Sequence, residues 1–580
     1  MAATTDTRPL NASGTYTRTS AHELEDRQLS IDNIMSKAWK SWPNEAGFVG
    51  LNEVRGPVAL KVSGTIPPWT AGTLYRTGPG ESQIETETRG THYVSHWFDG
   101  IAQTHKFSIT ASPSGDVSVD YSSCLQGRNL IEDIKKRGWR ACSTFAQKAD
   151  PCIGIYAKMQ AVYKPMGSNH NVVVERNLPG LSGSASQTDP GAKTENLFVF
   201  TDQSSMRQID PITLDPLELR THADLNPGLN GQLGCAHSQR DPENGDLFNY
   251  NLLLGPRVTY RIFRASAQTG KTDILATVSL PDIKPAYMHS MFLTKNFVVL
   301  CVPCTHIGWN GVKIPWERNV ADAILPFSES RKSQWLVVDR RCGRGLVARF
   351  TTPAGFFFHS INAFEEEIGG KRTLYFDAVW YANHDIISAF YYDVIMDRHD
   401  ATNKHWVAQE AYKSCQQHLR RYAYTLPEDR SVVGEGELLF DIPGPHVGEL
   451  PTINQLMSTR KQRYVYSNAV RGLSTFMDCL VKTDLVTREV KYWAGPETHT
   501  PGEAIFVPRP RGENLQGQGC KEGAGSVDED DGVLLSVVLD ARGKRSYLLV
   551  LDAKTMEEVG RAECEFPVGI GFHGLHAVAV

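Results

Sequence analysis

Long apolar runs are missing from this 580-residue chain. No stretch reaches the roughly 18 apolar residues that a membrane-crossing helix needs, so no bilayer-spanning segment is expected. An excess of basic charge is missing too. Sixty Lys and Arg against 65 Asp and Glu leave a formal charge of −5. With a sequence pI of about 6.4, no field exists to hold a phosphate backbone, which excludes a nucleic-acid partner. The cysteines form no disulfide framework: there are 11, an odd number, and they are scattered. Nothing in Met1-Ala-Ala-Thr-Thr-Asp6 reads as a signal peptide. Free thiols in a reducing, cytoplasmic setting are therefore expected. Cys301-Val-Pro-Cys304 has redox spacing, but it directly follows the apolar run Phe297-Val-Val-Leu-Cys-Val302 and is read as buried structure. A glycine-rich nucleotide loop is also absent. Gly78-Pro-Gly80 reads as a turn, not a phosphate cradle.

What the chain does have is a succession of short β-type runs broken by turn residues. Hydrophobic residues make up 41% and charged residues 22%, enough apolar material for a sizeable core. A weak repeat runs through it: an apolar strand, Asp-x-x-Thr, then a second strand. It occurs at Asp210-Pro-Ile-Thr213, Asp484-Leu-Val-Thr487 and Asp552-Ala-Lys-Thr555, and without the Thr at Val337-Val-Asp-Arg-Arg-Cys-Gly343. Asp and Thr side chains at this spacing bond turn amides. Hairpins of one kind spread along a chain predict an all-β fold of propeller blades, whose inner strands face a common axis. Residues 1–19 are polar and rich in Thr, and are expected to be loose. Ser20-Ala-His-Glu23 reads as a capping box that opens a short helix through Trp39. The expected organisation is an N-terminal extension over 1–45 and a single unit over 46–580, with flexible loops near 178–194 and 509–531.

Four histidines stand out by their settings. They are His237 in Cys235-Ala-His-Ser-Gln-Arg-Asp241, His289 in Tyr287-Met-His-Ser-Met-Phe292, His359 in Phe356-Phe-Phe-His-Ser-Ile-Asn362 and His573 in Gly571-Phe-His-Gly574. Neutral imidazole is a good ligand for iron, zinc and copper. The separations are 52, 70 and 214 residues, so no helix or single hairpin can gather them. Only a closed fold can. The chain holds 18 histidines, so most of them must do something else.

These segments resemble the carotenoid cleavage oxygenase family, over roughly Gly50 to the C-terminus. The resemblance also rests on Gly72-Thr-Leu-Tyr-Arg-Thr-Gly-Pro-Gly80, His96-Trp-Phe-Asp-Gly100 and Glu529-Asp-Asp-Gly-Val-Leu-Leu-Ser-Val-Val538, all in family order. It implies a seven-bladed β-propeller with Fe(II) on its axis, held by His237, His289, His359 and His573. It implies carboxylates behind three of these imidazoles, at the positions of Asp202, Glu449 and Glu503. The family usually has Glu where this chain has Asp202, one methylene shorter. It further implies a helical cap that carries a substrate tunnel and an apolar membrane-contact patch. Leu130-Ile-Glu-Asp-Ile-Lys-Lys-Arg-Gly138, Phe145-Ala-Gln-Lys-Ala-Asp-Pro-Cys152 and Arg471-Gly-Leu-Ser-Thr-Phe476 look most like the fungal branch that cleaves torulene. In Tyr121-Ser-Ser-Cys124, Cys stands where Arg is expected.

The activity implied is scission of one C=C bond of a lipophilic polyene by O2, with both oxygen atoms ending in carbonyl fragments. No reductant, nucleotide or haem is then needed, and no obligate protein partner is evident. Ile155, Met159 and Val162 fall at i, i+4 and i+7 after Asp150-Pro151, one apolar helix face. The resemblance places peripheral membrane contact there. Trp380 and Tyr381 are candidates for the cavity wall. His96 is expected to support the fold, His576 not to be a ligand, and His92, His105, His384 and His446 to be surface or structural. The alternatives are a stilbene or phenylpropenoid cleaver, a retinyl ester isomerase on the same site, and a non-catalytic propeller scaffold.

Overall fold

The computed structural model describes residues 8–148, 154, 169–181, 195–428, 432–510 and 528–578. Among these residues the chain is mainly β, built as a ring of largely antiparallel sheets. Four sheets follow in order along the chain. The first runs outward from Val173–Arg176 through Leu197–Phe200 and Ser205–Ile209 to Pro216–Thr221. The second runs from Gln239–Arg240 to Thr272–Val278, the third from Phe292–Leu293 through Leu346–Thr352 to the parallel edge strand Val433–Glu435, and the fourth from Phe356–Ile368 to Glu437–Pro443. A fifth starts at Glu449–Thr452 and ends on Val490–Ala494, where Gly14–Arg18 adds an outer strand. The last sheet has ten strands and mixes both ends of the chain. In it Val58–Gly64 pairs with Glu558–Cys564 on one side and with Val117–Leu125 on the other. Gly72–Glu81 likewise pairs with Gly574–Val578. Neighbouring sheets touch in sequence, and the ring closes where Gly72–Glu81 and Gly574–Val578 meet Val173–Arg176. Strands from the two chain ends thus lock one another, which leaves few bare edges.

Middle strands are apolar on both faces because each sheet is sandwiched between two others. Phe297–Val302 is buried at every position. Trp335 shows the packing: it stacks on Phe350 in its own sheet and meets Phe376 of the next at 4.9 Å between centroids. Cys301 and Cys304 are buried free thiols in this layer, as their apolar setting indicated.

The Asp-x-x-Thr repeat has one physical meaning throughout. Asp210 Oδ1 accepts from the amides of Ile212 and Thr213 at 2.8 Å each. Asp484 Oδ1 accepts from Val486 and Thr487, and Asp552 Oδ1 from Lys554 and Thr555. Each Thr hydroxyl then accepts from the amide two residues on. Every copy joins the third strand of a sheet to its fourth. Asp339 does the same without the Thr. A further copy at Ser266-Ala-Gln-Thr269 escapes the sequence pattern because Ser replaces Asp as the acceptor.

The structure corrects the reading of the N-terminal extension. Residues 14–18 form a strand, not a loose segment. The capping pair is Thr19 with His22, one residue upstream of the expected Ser20 and Glu23: the Thr19 amide donates to His22 Nδ1 at 3.1 Å. The helix Glu23–Met35 stops before Lys37, whose φ of 60° breaks it, and Trp39 lies in a separate turn at Ala38–Ser41. Gly78-Pro-Gly80 is likewise not a turn but the end of the strand Gly72–Glu81. Gly78 is needed there because a Cβ would sit 2.4 Å from the Gly571 Cα. The expected loops at 178–194 and 509–531 fall mostly outside the described residues, as do Ile155, Met159 and Val162.

Candidate metal centre

His237, His289, His359 and His573 each lie on or directly before the innermost strand of a different sheet. Short ties bring those strands together. The His237 amide donates to the His289 carbonyl at 3.3 Å, and Ser290 Oγ bridges the Phe358 carbonyl and the Ser360 amide at 2.7 Å each. Thr77 exchanges backbone bonds with Phe572 and His573 at 2.9 and 3.0 Å. The four rings converge so that one nitrogen from each lies within 4.8 Å of the others.

Three of the four rings are held from behind by a carboxylate. His289 Nδ1–H donates to Asp202 Oδ2 at 2.8 Å, His359 Nδ1–H to Glu449 Oε2 at 2.5 Å, and His573 Nδ1–H to Glu503 Oε1 at 2.7 Å. Each carboxylate is held in turn. Asp202 accepts from Tyr287 OH and the Ala236 amide, both at 3.0 Å. Glu449 accepts from Tyr381 OH at 2.7 Å and Glu503 from the Gly574 amide at 2.8 Å. Gly448 lets Glu449 reach its place, because a Cβ there would lie 1.8 Å from the Asn468 carbonyl oxygen. Burial pushes the Glu503 carboxyl up to about 7, with the Arg76 guanidinium pulling the other way. Arg76 also donates to the carbonyls of Glu503 and Phe572, so it clamps both sides of His573.

These contacts test whether a metal fits. A carboxylate on Nδ1–H fixes the tautomer, so the Nε2 lone pair points inward. His573 Nε2 lies 3.0 Å from His237 Nε2 and 3.1 Å from His359 Nε2. Lone pairs facing one another at that distance repel unless a cation sits among them. A metal–nitrogen bond of about 2.1 Å places ligands at right angles about 3.0 Å apart, which matches. Burial, reinforced by the neighbouring imidazoles, holds His237 and His573 well below the usual histidine range. Both are thus neutral ligands at physiological pH. The donor set fits a metal ion bound by four imidazole nitrogens.

The centre opens into a cavity. Its wall carries Trp97, Phe98, Phe145, Phe358, Phe390 and Phe572, with aliphatic side chains between them.

The model of the retinal pigment epithelial membrane protein family matches residues 48–578. The chain belongs to that family, the carotenoid oxygenases. It is 51% identical to the torulene dioxygenase of Gibberella fujikuroi, over 98% of this chain and 100% of that one. It is 46% identical to the carotenoid dioxygenase of Neurospora crassa, over 96% and 95%. The cobalt-substituted Synechocystis apocarotenoid oxygenase superposes with a TM-score of 0.68 at 22% identity, over 94% of this chain and 99% of that one.

Within this carotenoid oxygenase, one sequence expectation fails. Trp380 and Tyr381 do not line the metal cavity. Neighbouring strand residues point to opposite faces, and neither face here meets the cavity. Trp380 stacks on Phe357 at 5.5 Å, between sheets. Tyr381 packs near Phe356 and Phe358, and its hydroxyl serves Glu449. The residues missed are the wall itself and Arg76. Trp97, Phe98 and Asp99 lie in the His96–Gly100 motif. Asp99 accepts from the Phe145 and Ala146 amides at 2.8 and 2.7 Å, which fixes Phe145 over the centre. His96 is structural, its Nε2–H donating to the Ile387 carbonyl at 2.8 Å. His576 donates to the Thr70 carbonyl at 3.0 Å and takes no part in the cluster. His105 pairs with Tyr121 and His446 with buried Asp26. Cys124 is buried beside Tyr75 and Val174, away from the cavity wall, so the departure at this position does not touch the site.

Proposed function

We propose that this chain is an Fe(II) dioxygenase that cleaves one C=C bond of a carotenoid or apocarotenoid of the torulene type. One alkene and one O2 become two carbonyl fragments, so atoms and electrons balance without a reductant. The observation that carries the reading is four convergent imidazoles at the wall of a cavity lined by aromatic side chains. Ferrous iron, when bound, supplies the electrons and open coordination positions for reaction of O2 with an alkene. The protein supplies the rest. Trp97, Phe98, Phe145 and Phe390 bind the polyene by apolar contact and exclude water from the reacting bond. Asp202, Glu449 and Glu503 hold three imidazoles in one tautomer and orientation. No acid or base is required.

The test is turnover in air of torulene, β-carotene, apocarotenals and resveratrol by the iron-loaded chain, with products identified by mass spectrometry. Oxygen-dependent aldehydes from torulene are expected. Aldehydes from resveratrol alone would overturn the carotenoid reading.

The same reading covers the fold and the membrane. Five sheets of four or five strands, plus two halves of the ten-stranded sheet joined through Val58–Gly64, support seven blades in a single unit over 46–580. The excursions that carry Phe145, Val320 and Phe390 support a cap over the iron. A substrate this apolar must be drawn from a bilayer. No helix among the described residues is long and apolar enough to cross one, so contact at its surface is proposed. Trp309, Val312 and Trp316 support it, at 60, 57 and 47% exposure. They project from one short segment just before Val320, which lines the metal cavity. Replacing Trp309 and Trp316 together by Glu is expected to lower co-sedimentation with phosphatidylcholine vesicles about ten-fold or more. Cleavage of detergent-dissolved substrate should be unchanged.

A further inference from the structure

A second cavity lies beside the metal cavity. The two share Phe390, Met477 and Glu449 on their walls. Glu449 holds His359, so the second cavity begins one side chain behind a metal ligand. Its far wall comes from a distant part of the chain. Ile34 lies on the helix Glu23–Met35 and Trp39 on the turn that follows. Both precede residue 48, where the family match begins. Trp406, from the segment Asn403–Ala408, completes that side.

The extension is firmly seated there. Asp26, fully buried, accepts from Arg18 Nε at 2.9 Å and from His446 at 2.8 Å. Asn33 donates to the Arg471 carbonyl at 2.8 Å, and Trp39 Nε1–H to Asp397 at 3.3 Å. Ile34 and Trp39 therefore present a fixed wall. The hydroxyls on this cavity are already used: Ser474 accepts from Asn44 at 2.7 Å, and Thr402 donates to the Val394 carbonyl at 2.6 Å. An apolar occupant suits what remains.

We propose that the second cavity is the far end of the substrate channel, and that the N-terminal extension sets how much of the polyene extends past the reacting bond. This rests on the dioxygenase reading above. Cleavage of an internal double bond needs room on both sides of the iron. The metal cavity takes one limb and the second cavity the other. Phe390 and Met477 stand between them, and methionine, with three rotatable side-chain bonds, yields easily to a passing chain. Ile34 and Trp39 are the stop. The segment outside the family match thus acts as a specificity element for this chain.

The test measures binding without turnover. The full chain is titrated under argon with polyene aldehydes of increasing length, and affinity is read from the shift in polyene absorption. Wild type is expected to bind the longest aldehyde more tightly than the shortest. Ile34→Phe, which shortens the cavity, should weaken the longest about ten-fold, the effect of losing burial of a few methylene groups, and leave the shortest unchanged. Trp406→Ala, which lengthens the cavity, should increase the preference for the longest aldehyde. The inference is overturned if wild type shows no length preference, or if both variants keep the wild-type ratio of long to short. Absence of cleavage in air, with binding as expected, would count against the dioxygenase reading alone.

Discussion

His289→Ala is expected to abolish metal binding and, with it, all oxygen-dependent cleavage. Two effects act together. One of four donors is lost, and Asp202 is left beside a cavity without the imidazole that used its Oδ2. The Tyr287 hydroxyl and the Ala236 amide still hold that carboxylate in place, so it cannot swing away to water. Metal content measured by mass spectrometry should fall to background, and torulene cleavage with it. His576→Ala is the matched control, because His576 serves only the Thr70 carbonyl; it should keep its metal and its turnover. Retained iron with full turnover in His289→Ala would remove His289 from the ligand set.

Glu449→Ala should have the next largest effect. Removing a carboxylate behind a ligating histidine typically costs about 10–100-fold in metal affinity. Glu449 stands toward the upper end of that range because it is buried and serves three donors, His359 Nδ1–H, Tyr381 OH and the Leu450 amide. All three would lose this acceptor away from water, so folding stability should fall as well. Tyr381→Phe separates the two consequences. It removes one hydrogen bond, a net loss of about 1 kcal/mol, and leaves the imidazole–carboxylate pair intact. Metal competition with a chelator should show a large loss for Glu449→Ala and a small one for Tyr381→Phe. Equal losses would mean that the tyrosine, not the carboxylate, orients His359.

Much of this site is legible in the order of the amino acids. The Asp-x-x-Thr turns carry their own hydrogen bonds, so local sequence is enough to identify them. The histidines are legible because each sits in a segment with a recognisable setting. Asp202 is legible for the same reason, and the shorter side chain still reaches His289 Nδ1 at 2.8 Å. The cavity wall is not. Trp380 and Tyr381 are large and close to the strand that carries His359, yet strand register turns one into the layer between sheets and the other toward Glu449. Arg76 is hidden for a related reason: its partners Glu503 and Phe572 lie hundreds of residues away along the chain.

The sequence by itself therefore determined the units, that is, the hairpins and their turns, because those properties belong to short segments and their chemistry. The four candidate histidines and the carboxylates behind them were legible through the resemblance of their segments to a known family. Only the tertiary structure decided that the units share one axis, which face of each strand meets the cavity, and that Ile34 and Trp39 border a second cavity next to it. These depend on ring closure between strands from opposite chain ends. Closure is a property of the whole chain, so no segment of it carries the answer alone.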